Sequence, residues 1–196
     1  MAEDEQGGMI VGANFIFVHV PKTGGQSIRR VIDGERRKPA HRPLFNVADR
    51  KPAFGFVRNP WDRLVSLYCF MCQKTMREER HAVYQRHIRD VGFKTWLMNE
   101  HYFMDDEDDW ASPGMEPMQR RPQIFWLDGC AHVGRFETLA ADFADIAAAM
   151  NIAASAPPHV NASRHAHYAA YYDAESRAFV AEHFAPDIER FGYRFQ

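Results

Sequence analysis

The sequence predicts an α/β fold in three layers, with a central parallel β-sheet flanked by helices. Short apolar runs rich in β-branched and aromatic residues alternate with segments that have helical patterns, which is typical of a parallel sheet. The chain has 196 residues, of which 46% are hydrophobic and 13% aromatic. A chain of this length and composition can bury the core of one domain. We therefore expect residues 1–196 to form a single domain, with a flexible start at residues 1–12.

The first strand and helix are predicted from an apolar run and the residues that end it. Residues 14–20 form this run, which stops at Pro21. Glycines and helix-compatible residues follow, so a helix is expected over residues 25–33. Residues 34–51 are charged and polar, and they are expected to connect this helix to the next strand.

The second strand is expected over residues 53–57 and is followed by a well-marked helix start. Asn59 is a good N-cap, and Pro60 is tolerated at the first helical position. These residues predict a helix over residues 60–75. The charged segment 78–99, with its interleaved aromatic residues, is expected to form one or two further helices.

The last part of the chain predicts short strands and two helices. Residues 124–127 and 131–135 are apolar and short, so we expect extended segments there. The alanine-rich stretch 139–150 predicts a helix. Another helix is expected over residues 173–184, capped by Asp173.

An anion-binding pattern lies directly after the first predicted strand, in the sequence Pro-Lys-Thr-Gly-Gly-Gln-Ser over residues 21–27. The two glycines let the backbone turn and bring N–H groups close to an oxyanion, and the following helix N-terminus adds partial positive charge. The lysine supplies a full charge, and the threonine and serine supply hydroxyl donors. The residues expected to contact a phosphate-like group here are Lys22, Thr23, Gly24, Gly25, Gln26 and Ser27.

A second anion-binding pattern follows the second predicted strand. Arg58 comes at the end of this strand, and Ser66 lies about two helical turns after Asn59, on nearly the same helix face. An arginine supplies bidentate N–H donors and a serine supplies a hydroxyl. Together they are expected to bind one phosphate. The alternative is a structural arginine that pairs with Asp62, together with a serine on the helix surface.

The loop at residues 21–27 differs from the phosphate-binding loop of nucleotide kinases and GTPases. Those loops place a lysine after their glycines, followed by Ser or Thr. Here Lys22 precedes the glycines, and neither Gly-Lys-Ser nor Gly-Lys-Thr occurs in the chain. A P-loop-type nucleotide-binding or phosphotransfer protein therefore remains only as the alternative function.

Together, the two segments resemble the paired motifs of the PAPS-dependent sulfotransferases, where PAPS is 3′-phosphoadenosine 5′-phosphosulfate. Residues 21–27 resemble the loop that binds the 5′-phosphosulfate, and residues 58–68 resemble the element that binds the 3′-phosphate. Segments 121–127, 133–143, 159–163 and 187–193 are similar to the carbohydrate, family 2-like type. The resemblance implies a P-loop-like fold and transfer of a sulfuryl group from PAPS to a hydroxyl of an acceptor, which we expect to be a carbohydrate. The product would be adenosine 3′,5′-bisphosphate.

The reaction needs a base for the acceptor hydroxyl and stabilisation of the leaving oxygen. Lys22 is expected to stabilise that oxygen without a metal ion. His41 is the predicted base, because histidine titrates near neutral pH and the resemblance places a histidine between the two PAPS motifs. Asp33 and Glu35 are the nearest rivals, and an exposed loop histidine without a catalytic role is the alternative for His41.

Three further predictions concern the surroundings of this site. His19 is expected to serve in packing. The resemblance implies that Asn161, Ser163 and Arg164 lie in a segment that closes over the nucleotide, with a helix N-cap as the alternative. The cationic residues around His41 are expected to orient an anionic acceptor: Arg36, Arg37, Lys38 and Arg42.

Composition limits the partners and the compartment that we expect. The formal net charge is −2, so we expect no nucleic-acid partner. Neither a secretory signal nor an apolar run long enough to cross a membrane is present, which predicts a protein without a membrane anchor. Three cysteines, an odd number, do not form a disulfide framework. A bacterial cytoplasmic enzyme is therefore expected.

Overall fold

The structure is a computed structural model that describes residues 9–37, 41–73, 79–99, 121–158 and 166–196. Two compact units make up these residues. The first unit draws on Met1–Arg58 and Gln123–Ala162, and the second on Asn59–Pro122 and Ser163–Gln196. The first contains the β-sheet, and the second is helical.

The first unit is built on a five-stranded sheet with the order β3-β1-β2-β4-β5. The parallel arrangement predicted from the sequence is confirmed for β2, β4 and β5, which are neighbours in this sheet. Strand β1 pairs antiparallel with both β2 and β3, so the complete sheet is mixed. The strands are β1 (Met9–Val11), β2 (Ile16–Val18), β3 (Glu35–Arg37), β4 (Ala53–Val57) and β5 (His132–Arg135).

Strand β1 corrects the expectation that residues 1–12 are flexible. Its Met-Ile-Val sequence is fully buried, and it pairs with a strand on each side. A tight turn connects it to β2, with the Gly12 N–H donating to the Phe15 carbonyl at 2.9 Å. Three apolar residues are enough for a strand here because two neighbours satisfy its backbone. Residues 1–8 lie outside the described residues.

Helices lie on both faces of this sheet, which confirms the three-layer α/β fold. On one face, α1 (Gly25–Arg29) and α5 (Leu139–Ala149) pack against alternate strand residues such as Phe17 and Phe54. On the other face lies α4 (Ile124–Leu127). A Cβ atom at Gly55 would lie 2.4 Å from Leu127 Cδ2, so this glycine allows α4 to approach the sheet closely.

Residues 124–127 are helical, and the prediction of an extended segment there was wrong. The Asp128 N–H donates to the Ile124 carbonyl at 2.9 Å, which closes one helical turn. This turn buries the consecutive side chains of Trp126 and Leu127. A strand would direct these two side chains to opposite faces, so burial of both favours the turn over the β-propensity of the aromatic residues. The helix predicted over residues 25–33 is also shorter, because it ends at Arg29.

The second unit packs its helices around a core of large aromatic and aliphatic side chains. Its helices are α2 (Pro60–Gln73), α3 (Glu79–Asn99), α6 (Ala174–His183) and α7 (Ala185–Phe191). The predicted cap of α6 is confirmed, because Asp173 accepts from the Ser176 N–H at 2.8 Å. None of the helices in the described parts of the chain is long and apolar enough to cross a membrane.

Candidate active site

The loop after β2 contains residues in the left-handed backbone conformation, which glycine adopts more easily than other residues. Lys22 and Gly24 both have positive φ angles, of 67° and 81°. Gly24 is also the N-cap of α1, and a Cβ atom there would lie 3.0 Å from the Phe136 and Leu139 side chains. The glycine is therefore required by both backbone conformation and space. Lys22 has no such freedom and carries strain.

The side chains of this loop alternate in exposure. Lys22 and Gln26 are half-exposed, whereas Thr23 and Ser27 are buried. The Thr23 hydroxyl donates to the Val20 carbonyl at 3.0 Å, and this hydrogen bond stabilises the turn. Of the loop side chains, Lys22 thus offers the accessible positive charge.

His41 lies beside this loop rather than on an open connection. Its Nδ1 atom is 2.8 Å from the carbonyl oxygen of His19, and its own carbonyl accepts from Trp126 Nε1 at 2.9 Å. The side chain is half-buried. These contacts disagree with the alternative of a freely exposed loop histidine. Of its two rivals, Glu35 is exposed and pairs with Arg37 at 3.1 Å, and Asp33 is also exposed.

His19 connects the loop to His41. Its ring centroid lies 4.5 Å from that of His41, and a Cβ atom at Gly25 would lie 2.2 Å from His19 Nε2. Burial, reinforced by the nearby His41, Arg29 and Lys22, lowers the pKa of His19 well below its ordinary value. The ring is therefore neutral at physiological pH. Its Nδ1 atom has no hydrogen-bond partner among the described residues.

Arg58 contacts the same loop from the end of β4. Its Nη1 atom donates to the Lys22 carbonyl at 3.2 Å, and its guanidinium carbon lies 4.2 Å from the centre of the Phe136 ring. The side chain is buried. The first unit thus brings together the loop, His41 and Arg58.

Gln123 fixes the backbone of Arg58 and was not identified as a site residue from the sequence. Its side-chain amide accepts from the Arg58 N–H and donates to the Arg58 carbonyl, both at 2.8 Å. The side chain is fully buried. The sequence signal that could have pointed to Gln123 is the segment Arg121-Pro122-Gln123. This segment contributed to the family resemblance, but the resemblance assigned no role to the glutamine.

Of the remaining predicted residues, Ser66 lies in the second unit, and Arg36, Arg37 and Arg42 lie in the first, where Arg37 pairs with Glu35. Ser66 is buried in α2, and the predicted N-cap is confirmed because Asn59 Oδ1 accepts from the Trp61 N–H at 3.1 Å. A phosphate shared by Arg58 and Ser66 stays a prediction. The predicted closing residues Asn161, Ser163 and Arg164, and the predicted acceptor-orienting Lys38, lie outside the described residues.

The described residues contain no cluster of the side chains that usually bind a metal ion. No group of three or more His, Cys, Asp or Glu side chains in those ranges is arranged to hold a metal ion. None of the three cysteines, all of which lie in the described residues, forms a disulfide.

Comparison with known proteins agrees with the resemblance inferred from the two anion-binding segments. No curated protein and no solved structure matches the chain. The model of the sulfotransferase family matches residues 12–194, a range that includes the loop, His41, Arg58 and Ser66. Because this match spans nearly the whole sequence, the chain belongs to the sulfotransferase family.

Proposed function

We propose that the chain transfers a sulfuryl group from PAPS to a hydroxyl of a carbohydrate acceptor. The observation that carries this proposal is the grouping of the Lys22 loop, His41 and Arg58 in one unit. A cation beside a glycine turn favours a sulfate or phosphate group, and a half-buried histidine next to it supplies a base. Family membership supports sulfotransfer in general, whereas the donor and the acceptor are part of the proposal.

The residues of the first unit fit the charge of the donor. Lys22 is half-exposed, and the buried guanidinium groups of Arg29 and Arg58 lie in the same unit. Arg29 is held to the loop by a hydrogen bond of 3.0 Å from its Nη1 atom to Gln26 Oε1. Cations held in place attract an anion without reorganisation. When bound, PAPS supplies a sulfuryl group on a phosphate leaving group.

Each residue then has one role in the transfer. His41 accepts the proton of the acceptor hydroxyl, whose oxygen forms the new bond to sulfur. The bond between sulfur and the bridging oxygen breaks, and its electron pair stays on the phosphate of adenosine 3′,5′-bisphosphate. Lys22 stabilises the charge that develops on this leaving oxygen. No metal ion is needed to balance the step.

Arg58 and Ser66 are proposed to bind the 3′-phosphate, which distinguishes PAPS from ATP. We predict that Arg58→Ala weakens the binding of adenosine 3′,5′-bisphosphate much more than the binding of AMP. The reason is that a charge-assisted contact contributes about 1.5–3 kcal/mol. Calorimetry with both nucleotides measures this preference. The control is Arg135→Ala, an exposed arginine on the neighbouring strand. An unchanged preference in Arg58→Ala would remove the proposed role.

An exposed aromatic residue near His41 supports a carbohydrate acceptor. The Phe45 side chain is 60% exposed, and its ring lies 5.3 Å, edge to face, from that of Phe125. The next residue, Trp126, donates to the His41 carbonyl. An exposed aromatic face offers an apolar surface to the C–H groups of a sugar ring. If Phe45 has this role, Phe45→Ala raises KM for the acceptor while donor affinity is unchanged.

The alternative function is nucleotide binding or phosphotransfer of the P-loop type. Lys22 precedes the glycines, which argues against this alternative. Thermal-shift measurements with adenosine 3′,5′-bisphosphate and with ATP plus magnesium distinguish the two, since only the proposed donor site prefers the bisphosphate. An acceptor screen with sulfur-labelled PAPS then tests transfer directly. Labelled product with no acceptor other than water would contradict the proposal.

A further inference from the structure

The contacts around His41 determine which of its ring nitrogens is able to accept a proton. The Nδ1 atom lies 2.8 Å from the His19 carbonyl oxygen. A carbonyl oxygen only accepts hydrogen bonds, so the Nδ1 atom must carry the hydrogen. In a neutral imidazole the other nitrogen is then unprotonated and carries the basic lone pair. The geometry thus makes Nε2 the basic atom of His41.

The His19 side chain holds His41 in this arrangement. Its ring lies between the loop and His41, with a centroid distance of 4.5 Å to the His41 ring. It is also tight against Gly25, because a Cβ atom there would lie 2.0 Å from His19 Cδ2. On the third side it stacks on Phe17, with ring centroids 6.0 Å apart and planes inclined by 21°. A ring confined on three sides cannot easily change its rotamer.

We propose that His19 is a positioning residue: its carbonyl and ring together fix His41 as the Nδ1–H tautomer, which leaves Nε2 to take the proton of the acceptor. This inference rests on the proposed function for its catalytic meaning, but the tautomer itself is a property of the protein alone. It also gives His19 a role beyond the packing that the sequence predicted. The hydrogen bond from Trp126 Nε1 to the His41 carbonyl holds the backbone of His41 as well.

Nitrogen-15 NMR of the full-length protein tests the tautomer directly, since protonated and unprotonated ring nitrogens have well-separated shifts. The spectrum is recorded at a pH where His41 is neutral, and His41→Gln identifies its signals. We expect the hydrogen on Nδ1 in the parent protein. A hydrogen on Nε2 would overturn the proposal, whatever the protein's activity.

The role of the His19 ring is tested with a pair of variants. In His19→Ala we expect His41 to lose its single tautomer, and turnover to fall by about 100-fold, since a misplacement of about 1 Å can cost this much. The control is His132→Ala, a half-buried histidine on β5, which should change neither. If His19→Ala does not fold, His19→Leu fills the space without a ring and gives the same readout. A single Nδ1–H tautomer with full turnover in either folded variant would refute the role.

The two proposals fail in different ways. Sulfotransfer by a protein whose His41 carries its hydrogen on Nε2 would contradict the inference and leave the proposed function intact. Conversely, the Nδ1–H tautomer in a protein that transfers no sulfuryl group would support the inference about the tautomer and contradict the proposed function.

Discussion

Lys22 combines a full positive charge with a backbone conformation that a lysine adopts only at a cost. Its φ of 67° lies in the left-handed region, which costs about 1–2 kcal/mol for a residue with a Cβ atom. The same conformation leaves the Lys22 carbonyl to accept from Arg58. A strained residue next to a predicted catalytic base is a pattern typical of functional sites.

The first prediction separates the charge of Lys22 from its backbone. Lys22→Ala should lose about 100-fold or more in turnover, because the side chain acts on the leaving oxygen in the transition state. Lys22→Gly should lose as much turnover, yet raise the free energy of unfolding by about 1 kcal/mol, since glycine relieves the strain. Steady-state kinetics and urea unfolding measure the two effects. Arg30→Ala, which removes an exposed cation at the end of α1, is the control and should change neither. Retained turnover in Lys22→Ala would contradict the assignment.

A second prediction concerns His41 as the base. His41→Ala should lower turnover by about 100- to 10,000-fold with donor affinity nearly unchanged. The decline of the rate at acid pH should also disappear, because it reports protonation of this ring. Kinetics over a range of pH, with calorimetry for adenosine 3′,5′-bisphosphate, provide the measurement. Glu35→Gln serves as the comparison. If Glu35→Gln loses activity while His41→Ala stays fully active, the base is the Glu35 carboxylate rather than His41.

At the scale of elements, the end of β4 is held by a side chain rather than by another strand. The Gln123 amide pairs with both backbone groups of Arg58 across a sequence separation of 65. Buried backbone groups without partners are costly, so this amide satisfies the strand end and fixes where the Arg58 side chain begins. The site thus depends on a contact far from it in sequence.

The third prediction follows from these two hydrogen bonds. Gln123→Met keeps the shape of the side chain but leaves a buried donor and a buried acceptor unpaired, which should lower the free energy of unfolding by about 2 kcal/mol or more. Chemical denaturation measures this loss, and the exposed Gln196→Met is the matched control with a small expected effect. A stability loss no greater than that of the control would show that Arg58 is held by other contacts.

The elements that the sequence predicted correctly are those with local causes. Strand β4 is an apolar run of the predicted bounds, and α6 begins at the predicted Asp173 cap. Strand β3 was missed because its residues are charged, and it forms by pairing with β1 at the sheet edge. In the site, the loop was predictable from its glycines and lysine. The roles of His19 and Gln123 were not, because they depend on contacts between distant segments.

At the scale of the whole molecule, each unit is assembled from two separate segments of the chain. Neither unit is therefore one continuous segment, and the match to the sulfotransferase family, over residues 12–194, includes residues of both. We propose on this basis that the chain is a single sulfotransferase domain, as the sequence predicted.

The last prediction connects one buried side chain to the stability of the whole protein. In the folded state, burial lowers the pKa of His19 well below its ordinary value, whereas in the unfolded chain this histidine takes up a proton near pH 6.5, about its ordinary pKa. Below that pH the unfolded state binds more protons than the folded state. The free energy of unfolding should therefore fall as the pH decreases from about 6.5 toward the folded pKa, by up to about 1.4 kcal/mol per pH unit from this residue.

Denaturant unfolding of the parent protein and of His19→Leu, over the same pH range, isolates this term. The difference between the two curves reports the loss of His19, including any effect of that loss on the neighbouring His41. We expect the variant to lose less stability on acidification, because leucine takes up no proton in either state. His183→Leu, which removes a half-buried histidine on α6, is the control and should keep the acid dependence of the parent. Parallel curves for the parent and His19→Leu would mean that His19 becomes protonated in the folded protein as easily as in the unfolded chain. Burial would then not keep the His19 ring neutral.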